Sequence, residues 1–397
     1  MQSPFRNGKT TAIKLTGIIM KSIHAFLEVA LKKRASDLVI KAGAPPSFRV
    51  DGDMQIDDSA PLTSQDTYEI SCGIIDSASR DYLLRKADMD GDGDEPPFMN
   101  TEEIMERLQA GNEIDLVFTV PGLVRVRANL FLERGTIGTV CRIIPLSPYT
   151  IQELSLPAVL KDIVMQPQGL IIITGPTGSG KTTTMAALVE EINRTRRANI
   201  FTIEDPVEYV FSDKKSVIHQ REVGSDTQSF KSALHSVTRQ SPDIICIGEM
   251  RDVETMDVAM SAAEIGHLVI TTFHTVSAPA TIDRIIDSFP VHLHRQVSTQ
   301  LAASLLCVTS QRLARRSSGM GRLPAVEVMT NSPTVRKQIE DGETNELYNS
   351  IRDGSHFGMN TMNQALEKLY QNKSISYDEA MLLAGNAAEL RHMLRHN

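Results

Sequence analysis

The sequence predicts an α/β protein, a parallel sheet covered by helices on both faces, preceded by a smaller α+β domain. Three observations predict it. Four apolar runs, Leu170–Thr174, Asn199–Ile203, Asp243–Ile247 and His267–Thr272, are separated by stretches with helical periodicity. Continuous apolar strands alternating with helices mark a parallel sheet buried on both sides. A glycine-rich loop, Gly175–Thr182, joins the first of these runs to a helical segment. The length of 397 residues exceeds one ordinary core, and two domains are its natural division.

Taken in chain order, residues 1–20 read as a tail, with Met20 a second candidate start. Lys14 interrupts the mildly apolar Thr11–Met20, and no signal-peptide cleavage site follows. No stretch is long and apolar enough to span a membrane as a helix. In Ser22–Arg34, the residues Ile23, Phe26, Leu27, Ala30 and Leu31 repeat at helical spacing. Ala42-Gly-Ala-Pro-Pro makes a turn, and Ser47–Val50, Leu123–Leu132 and Thr136–Ile144 read as strands. Between them, Asp88–Glu95 is an acidic loop. Asp88, Asp90, Asp92 and Gly93 match the start of a calcium loop, but the twelfth place holds Met99 instead of a bidentate Glu. A solvated acidic loop is the better reading. Pro145–Pro157, rich in turn residues, is expected to be a linker. The domains expected are therefore 21–144 and 158–397. The last part, Thr334–Arg395, is helical in pattern and broken near Asp353–Gly358.

Composition narrows the class. The formal net charge is −8, only 5% of residues are aromatic and there is no Trp. A nucleic-acid partner, which calls for a clustered basic and aromatic surface, is not expected. Cys72, Cys141, Cys246 and Cys307 lie far apart, which supports neither a thiolate zinc site nor a disulfide framework. A reduced, cytoplasmic protein is expected.

The chemistry concentrates at the ends of the apolar runs. Gly175, Gly180, Lys181 and Thr182 match G-x-x-x-x-G-K-[ST], with Pro176, Thr177, Gly178 and Ser179 between them and Thr183 after. The glycines let backbone N–H groups wrap a phosphate, and a helix N-terminus adds its dipole. Lys181 is placed to meet the β and γ phosphates of ATP, and Thr182 to ligate Mg2+. The second run ends in Glu204-Asp205, the third in Gly248-Glu249 and the fourth in His274. In an open α/β sheet, ligands gather beyond the carboxyl ends of the strands. A carboxylate fixed there holds the metal or polarises the attacking water. Glu249 is the first choice for that work and Glu204 the second. His274 is a candidate sensor of the γ phosphate. Arginines cluster in the first domain, at 125, 127, 134 and 142, and Arg239 and Arg251 flank the third run. Guanidinium matches developing phosphate charge. First-domain arginines are candidates to reach a neighbouring subunit's ATP, against the alternative that they are the solvated side of ordinary strands.

Together these residues resemble the secretion and type IV pilus motor ATPases, in their PilT-type branch. Four boxes carry the resemblance: Gly-Pro-Thr-Gly-Ser-Gly-Lys-Thr at 175–182, Thr-Ile-Glu-Asp-Pro-Val-Glu-Tyr at 202–209, Ile-Gly-Glu-Met-Arg-Asp at 247–252, and Gly-His-Leu-Val-Ile-Thr-Thr-Phe-His-Thr at 266–275. Ala35-Ser-Asp-Leu and Gly358-Met-Asn-Thr-Met resemble the family's first domain and its helical tail. The resemblance implies a PAS-like N-terminal domain on a RecA-like P-loop core, assembled as a homo-hexamer. It implies Mg-ATP on Lys181 and Thr182, catalysis by Glu249 assisted by Glu204, and nucleotide contacts from His274, Arg127, Arg142 and Arg239. The partner it implies is an inner-membrane platform protein, met at the cytoplasmic face by peripheral association. A shorter N-terminal region without Cys-x-x-Cys pairs favours pilus retraction over assembly. An accessory retraction ATPase and a secretion or conjugation ATPase are the alternatives, and a RecA-like nucleic-acid translocase is the alternative of another class.

Overall fold

The computed structural model describes residues 22–87 and 101–395. The tail at 1–20 and the acidic loop at 88–95 lie outside them. The described chain divides into two compact units, 1–144 and 145–397.

The first unit opens with α1 (Ile23–Lys32), β1 (Asp37–Ile40), β2 (Ser47–Val50) and β3 (Asp53–Ile56). Two helices follow, α2 (Ser64–Ala87) and α3 (Thr101–Gln109), then β4 (Ile114–Val120), β5 (Val124–Glu133) and β6 (Thr136–Ile144). The strands form one antiparallel sheet in the order β3-β2-β1-β6-β5-β4. Alternation puts Val124, Val126, Ala128 and Leu130 on one face, all fully buried. Ile23, Leu27 and Ala30 of α1 and Ile70, Ile74 and Ile75 of α2 join them in one core.

The second unit begins with α4 (Val159–Ile163) and β7 (Gly169–Thr174), followed by α5 (Lys181–Thr195), β8 (Asn199–Glu204), β9 (Val217–Glu222) and α6 (Phe230–Val237). Then come β10 (Ile244–Ile247), α7 (Val253–Glu264), β11 (Leu268–Thr272), α8 (Ala278–Ser288) and α9 (His294–Ser304). A β-ribbon, β12 (Leu305–Arg315) and β13 (Arg322–Thr330), precedes α10 (Pro333–Asp341), α11 (Leu347–Asp353), α12 (Met362–Gln371), α13 (Tyr377–Leu382) and α14 (Ala387–Arg395). The sheet order is β13-β12-β7-β11-β10-β8-β9, parallel except for β13.

Both faces of this sheet are covered. Leu170 and Ile172 pack with α6, α7, α8 and α9, while Ile171 and Ile173 pack with α4 and α5. Fully burying each such side chain contributes roughly 1.5–3 kcal/mol, so β7 is held from both sides. Within the stretch expected as a linker, Ile151 and Leu156 are buried in the core beneath α5. The last three helices form a separate cluster against Ala314 and Ala325 of the ribbon. The strand order has one consequence for chemistry. Because β7, β11, β10 and β8 are parallel neighbours, their carboxyl ends come out side by side.

Candidate active site

The loop after β7 turns at once into α5. Gly175 sits at φ 142° and a Cβ there would lie 2.4 Å from the Gln311 carbonyl, so only glycine fits. Gly180 adopts φ 89° as the N-cap of α5. No side chain caps this helix, so its first N–H groups face the loop. Pro176, Thr177 and Gly178 are exposed at the rim, and Ser179 is buried. The Ser179 hydroxyl has no hydrogen-bond partner among the described residues. An orphaned buried hydroxyl beside unsatisfied helix N–H groups suits a phosphate oxygen.

Lys181 starts α5 and is 8% exposed. Its Nζ donates to the carbonyls of Gly175 at 2.9 Å and Pro176 at 3.2 Å. Burial lowers its pKa, and the nearby charge of Glu249 opposes that shift. Lys181 also lies 3.5 Å from Nδ1 of His274, whose Nε2 lies 3.2 Å from Glu249 Oε2. An ammonium only donates, so Nδ1 accepts and the Nε2–H points to the carboxylate. The other oxygen of Glu249 pairs with Arg251. Three strand ends thus supply one polar chain, Lys181–His274–Glu249–Arg251.

Thr182 and Thr183 follow in the first turn. Thr183 Oγ1 meets Tyr209 Oη at 3.2 Å, and Thr182 lines a narrow cleft with Thr202, Glu204, Tyr209 and Cys246. Glu204, the last residue of β8, is 5% exposed. Burial raises its pKa to about 7, against hydrogen bonds from Thr202 and Gln220 that lower it. Those bonds, Thr202 Oγ1 at 2.7 Å and Gln220 Nε2 at 3.3 Å, both reach Oε1. Thr182 and Glu204 line the same cleft, and hydroxyl and carboxylate oxygens such as theirs and that of Glu249 suit a hard divalent ion such as Mg2+ in chemical type. No group of three His, Cys, Asp or Glu residues able to hold a metal occurs among the described residues.

The arginines fall elsewhere. Arg239 precedes β10 and so stands at the amino edge of the sheet, opposite the loop. Within one chain it does not join Glu249, because β10 runs parallel to β7 and β11 with its carboxyl end at the loop. Arg127 and Arg142 belong to the first unit and face each other across β5 and β6. Arg142 bonds Asp37 at 3.2 Å, and Arg127 lies 3.8 Å from Asp115. Arg125, two residues along β5 from Arg127, is buried and donates to Thr119 at 3.1 Å. His267 is structural, its Nδ1 on the Ala262 carbonyl at 3.0 Å.

Residues with no sequence signal complete the site. Gln311 of β12 holds the loop, and Gln220 of β9 holds Glu204. Gln311 stands in the polar stretch Thr309–Arg312, which gives no hint of a buried support.

Comparisons place this geometry among known proteins. Residues 140–384 match the family described as Type II/IV secretion system protein. The Type IV pilus retractation ATPase PilT of Pseudomonas aeruginosa is 39% identical, covering 90% of this chain and 96% of that one. The Type IV pilus ATPase PilU of the same organism is 35% identical, covering 93% and 90%. The crystal structure of the pilus retraction motor PilT with bound ADP matches with a TM-score of 0.74 and 36% identity, over 94% of this chain and 99% of that one.

Proposed function

We propose, from the premise that this chain belongs to the Type II/IV secretion system protein family, that it is a hexameric motor driving type IV pilus retraction and so twitching motility. It is an ATPase with a RecA-like core and an N-terminal PAS-like domain. The observation that carries the reading is the polar chain from Lys181 through His274 to Glu249 beside a glycine loop.

The residues divide the work. Backbone N–H groups of Gly178–Thr183 cradle the phosphates, and Ser179 offers its hydroxyl. Lys181 exchanges the Gly175 and Pro176 carbonyls for phosphate oxygens, which releases its contact with His274. That release lets His274 report whether a γ phosphate is present. Glu249, paired with Arg251, orients and deprotonates the attacking water. Glu204, held by Thr202 and Gln220, assists by keeping its carboxylate fixed beside Thr182. Thr182 with Glu204 and Glu249 would hold Mg2+, which when bound neutralises phosphate charge and orders the substrate. Arg127 and Arg142, and Arg239 from another face, reach the site of a neighbouring copy and stabilise charge there. The ring works at the cytoplasmic face of the inner membrane on a platform protein.

A deletion strain tests the biological half. A retraction motor predicts excess unretracted fibres and no twitching. Absence of fibres would instead mark an assembly motor. A second reading is an accessory retraction motor, since a second type IV pilus ATPase, PilU, is similar to this chain over nearly the same length. Deletion would then leave twitching in place but weaken the pull of each pilus.

A further inference from the structure

We propose that Gln311 is a positioning residue for the phosphate loop. The inference rests on the reading of that loop as the nucleotide site. Gln311 lies on β12 beside β7 and is 1% exposed. Its Nε2 donates to the Ser179 carbonyl at 2.7 Å, and its Oε1 accepts from the Thr184 hydroxyl at 3.0 Å. Its own carbonyl closes over Gly175, where a Cβ would come within 2.4 Å. One residue therefore clamps the start of the loop, its last peptide and the first turn of α5.

The contact with Ser179 sets the direction of a phosphate-facing donor. A trans peptide is planar, so fixing the Ser179 C=O toward β12 turns the Gly180 N–H the opposite way. Buried amides are costly unless both ends are paired, and here both are. Free rotation of that peptide would leave the cradle to be ordered anew with each nucleotide. Its neighbours on β12 point to the other face. Ser310 Oγ donates to the Val276 carbonyl at 3.0 Å, just beyond His274, and Arg312 donates to the Leu383 carbonyl at 2.6 Å. The strand that sets the loop therefore also touches the sensor segment and the C-terminal helices.

The test uses the full chain and MgADP. Gln311→Met keeps length and apolar contact but removes both hydrogen bonds. The Kd for MgADP and the KM for ATP are expected to rise about tenfold, the equivalent of one or two such bonds. The cradle is shared by ground and transition states, so kcat should stay within about twofold. Thr184→Val removes only the Oε1 partner and preserves shape. It should raise the MgADP Kd by a smaller factor, about threefold. Adding it to Gln311→Met should change little, since the shared amide is already gone. An unchanged Kd in Thr184→Val, or in folded Gln311→Met, overturns the proposal while leaving the nucleotide site in place. A parent chain that binds no MgADP overturns the site reading and the proposal with it.

Discussion

His274 can bridge Lys181 and Glu249 in one tautomer only, with the proton on Nε2. In the proposed mechanism that would make the ring a relay between the phosphate-binding ammonium and the carboxylate that activates water. Glu204 is a carboxylate of a different kind, buried on Thr202 and Gln220 where Glu249 pairs with Arg251. Its raised pKa means the folded chain holds the proton more tightly than the unfolded chain does. The proton is bound in both states below the ordinary value of 4.5, so no penalty arises there. Stability falls as pH climbs from there toward 7 and levels beyond it. Glu204→Gln should remove that slope. In urea melts without nucleotide, the variant should gain on the parent between pH 5 and 7, by at most about 3 kcal/mol. A parent-minus-variant difference that stays flat with pH would show that Glu204 ionises normally.

At the scale of elements, Glu327 of β13 joins two helix starts. Its carboxylate accepts the N–H of Ala278 at 2.7 Å and of Met362 at 3.2 Å, the first residues of α8 and α12. Burial raises its pKa and those two bonds oppose the shift. Glu327→Ala strands both donors and should cost about 2–4 kcal/mol in a thermal or urea melt. A loss under 0.5 kcal/mol would mean water replaces the carboxylate. The elements differ in how far the sequence foretold them. The runs that became β7, β8, β10 and β11 were legible because both faces are buried, leaving continuous apolar stretches. Their acidic and His ends were legible for the same reason, since polarity begins where the sheet stops. Nothing in the sequence marks the ribbon β12–β13 as strands, although Ser310, Gln311 and Glu327 carry much of the support. Each is a buried polar residue whose partner lies far off in sequence, Glu327 reaching Ala278 and Gln311 reaching Ser179. Edge strand β9, with His219, Gln220 and Arg221 in succession, has no periodic apolar face to reveal it. The order β7-β11-β10-β8 is set by crossovers, and no local signal encodes which strand lies beside which.

For the whole molecule, the division of labour between copies is the testable point. In β2, β1, β6 and β5, the residues Arg49, Asp37, Arg142 and Arg127 stand opposite one another in register. Two like charges face each other at Arg142 and Arg127, an arrangement that weakens a sheet unless something offsets it. Asp37 and Asp115 supply that offset. If Arg142 serves a neighbour's phosphate, Arg142→Ala and Glu249→Ala damage different halves of one composite site. Each variant alone should hydrolyse ATP at least about 100-fold more slowly. Mixed rings of the two should recover part of the activity, because some interfaces then carry both intact halves. Mixed rings no better than either parent variant would place Arg142 outside the site.

The most direct measurement pairs hydrolysis with binding in three proteins, the parent, Lys181→Ala and Glu249→Gln. The account predicts a parent that binds Mg-ATP and turns it over. It predicts Glu249→Gln still binding Mg-ATP, weakened only by the loss of one charged metal ligand, with turnover reduced at least about 100-fold, and Lys181→Ala failing at both. Turnover in Glu249→Gln at the parent's rate, or tight binding that survives Lys181→Ala, would contradict it.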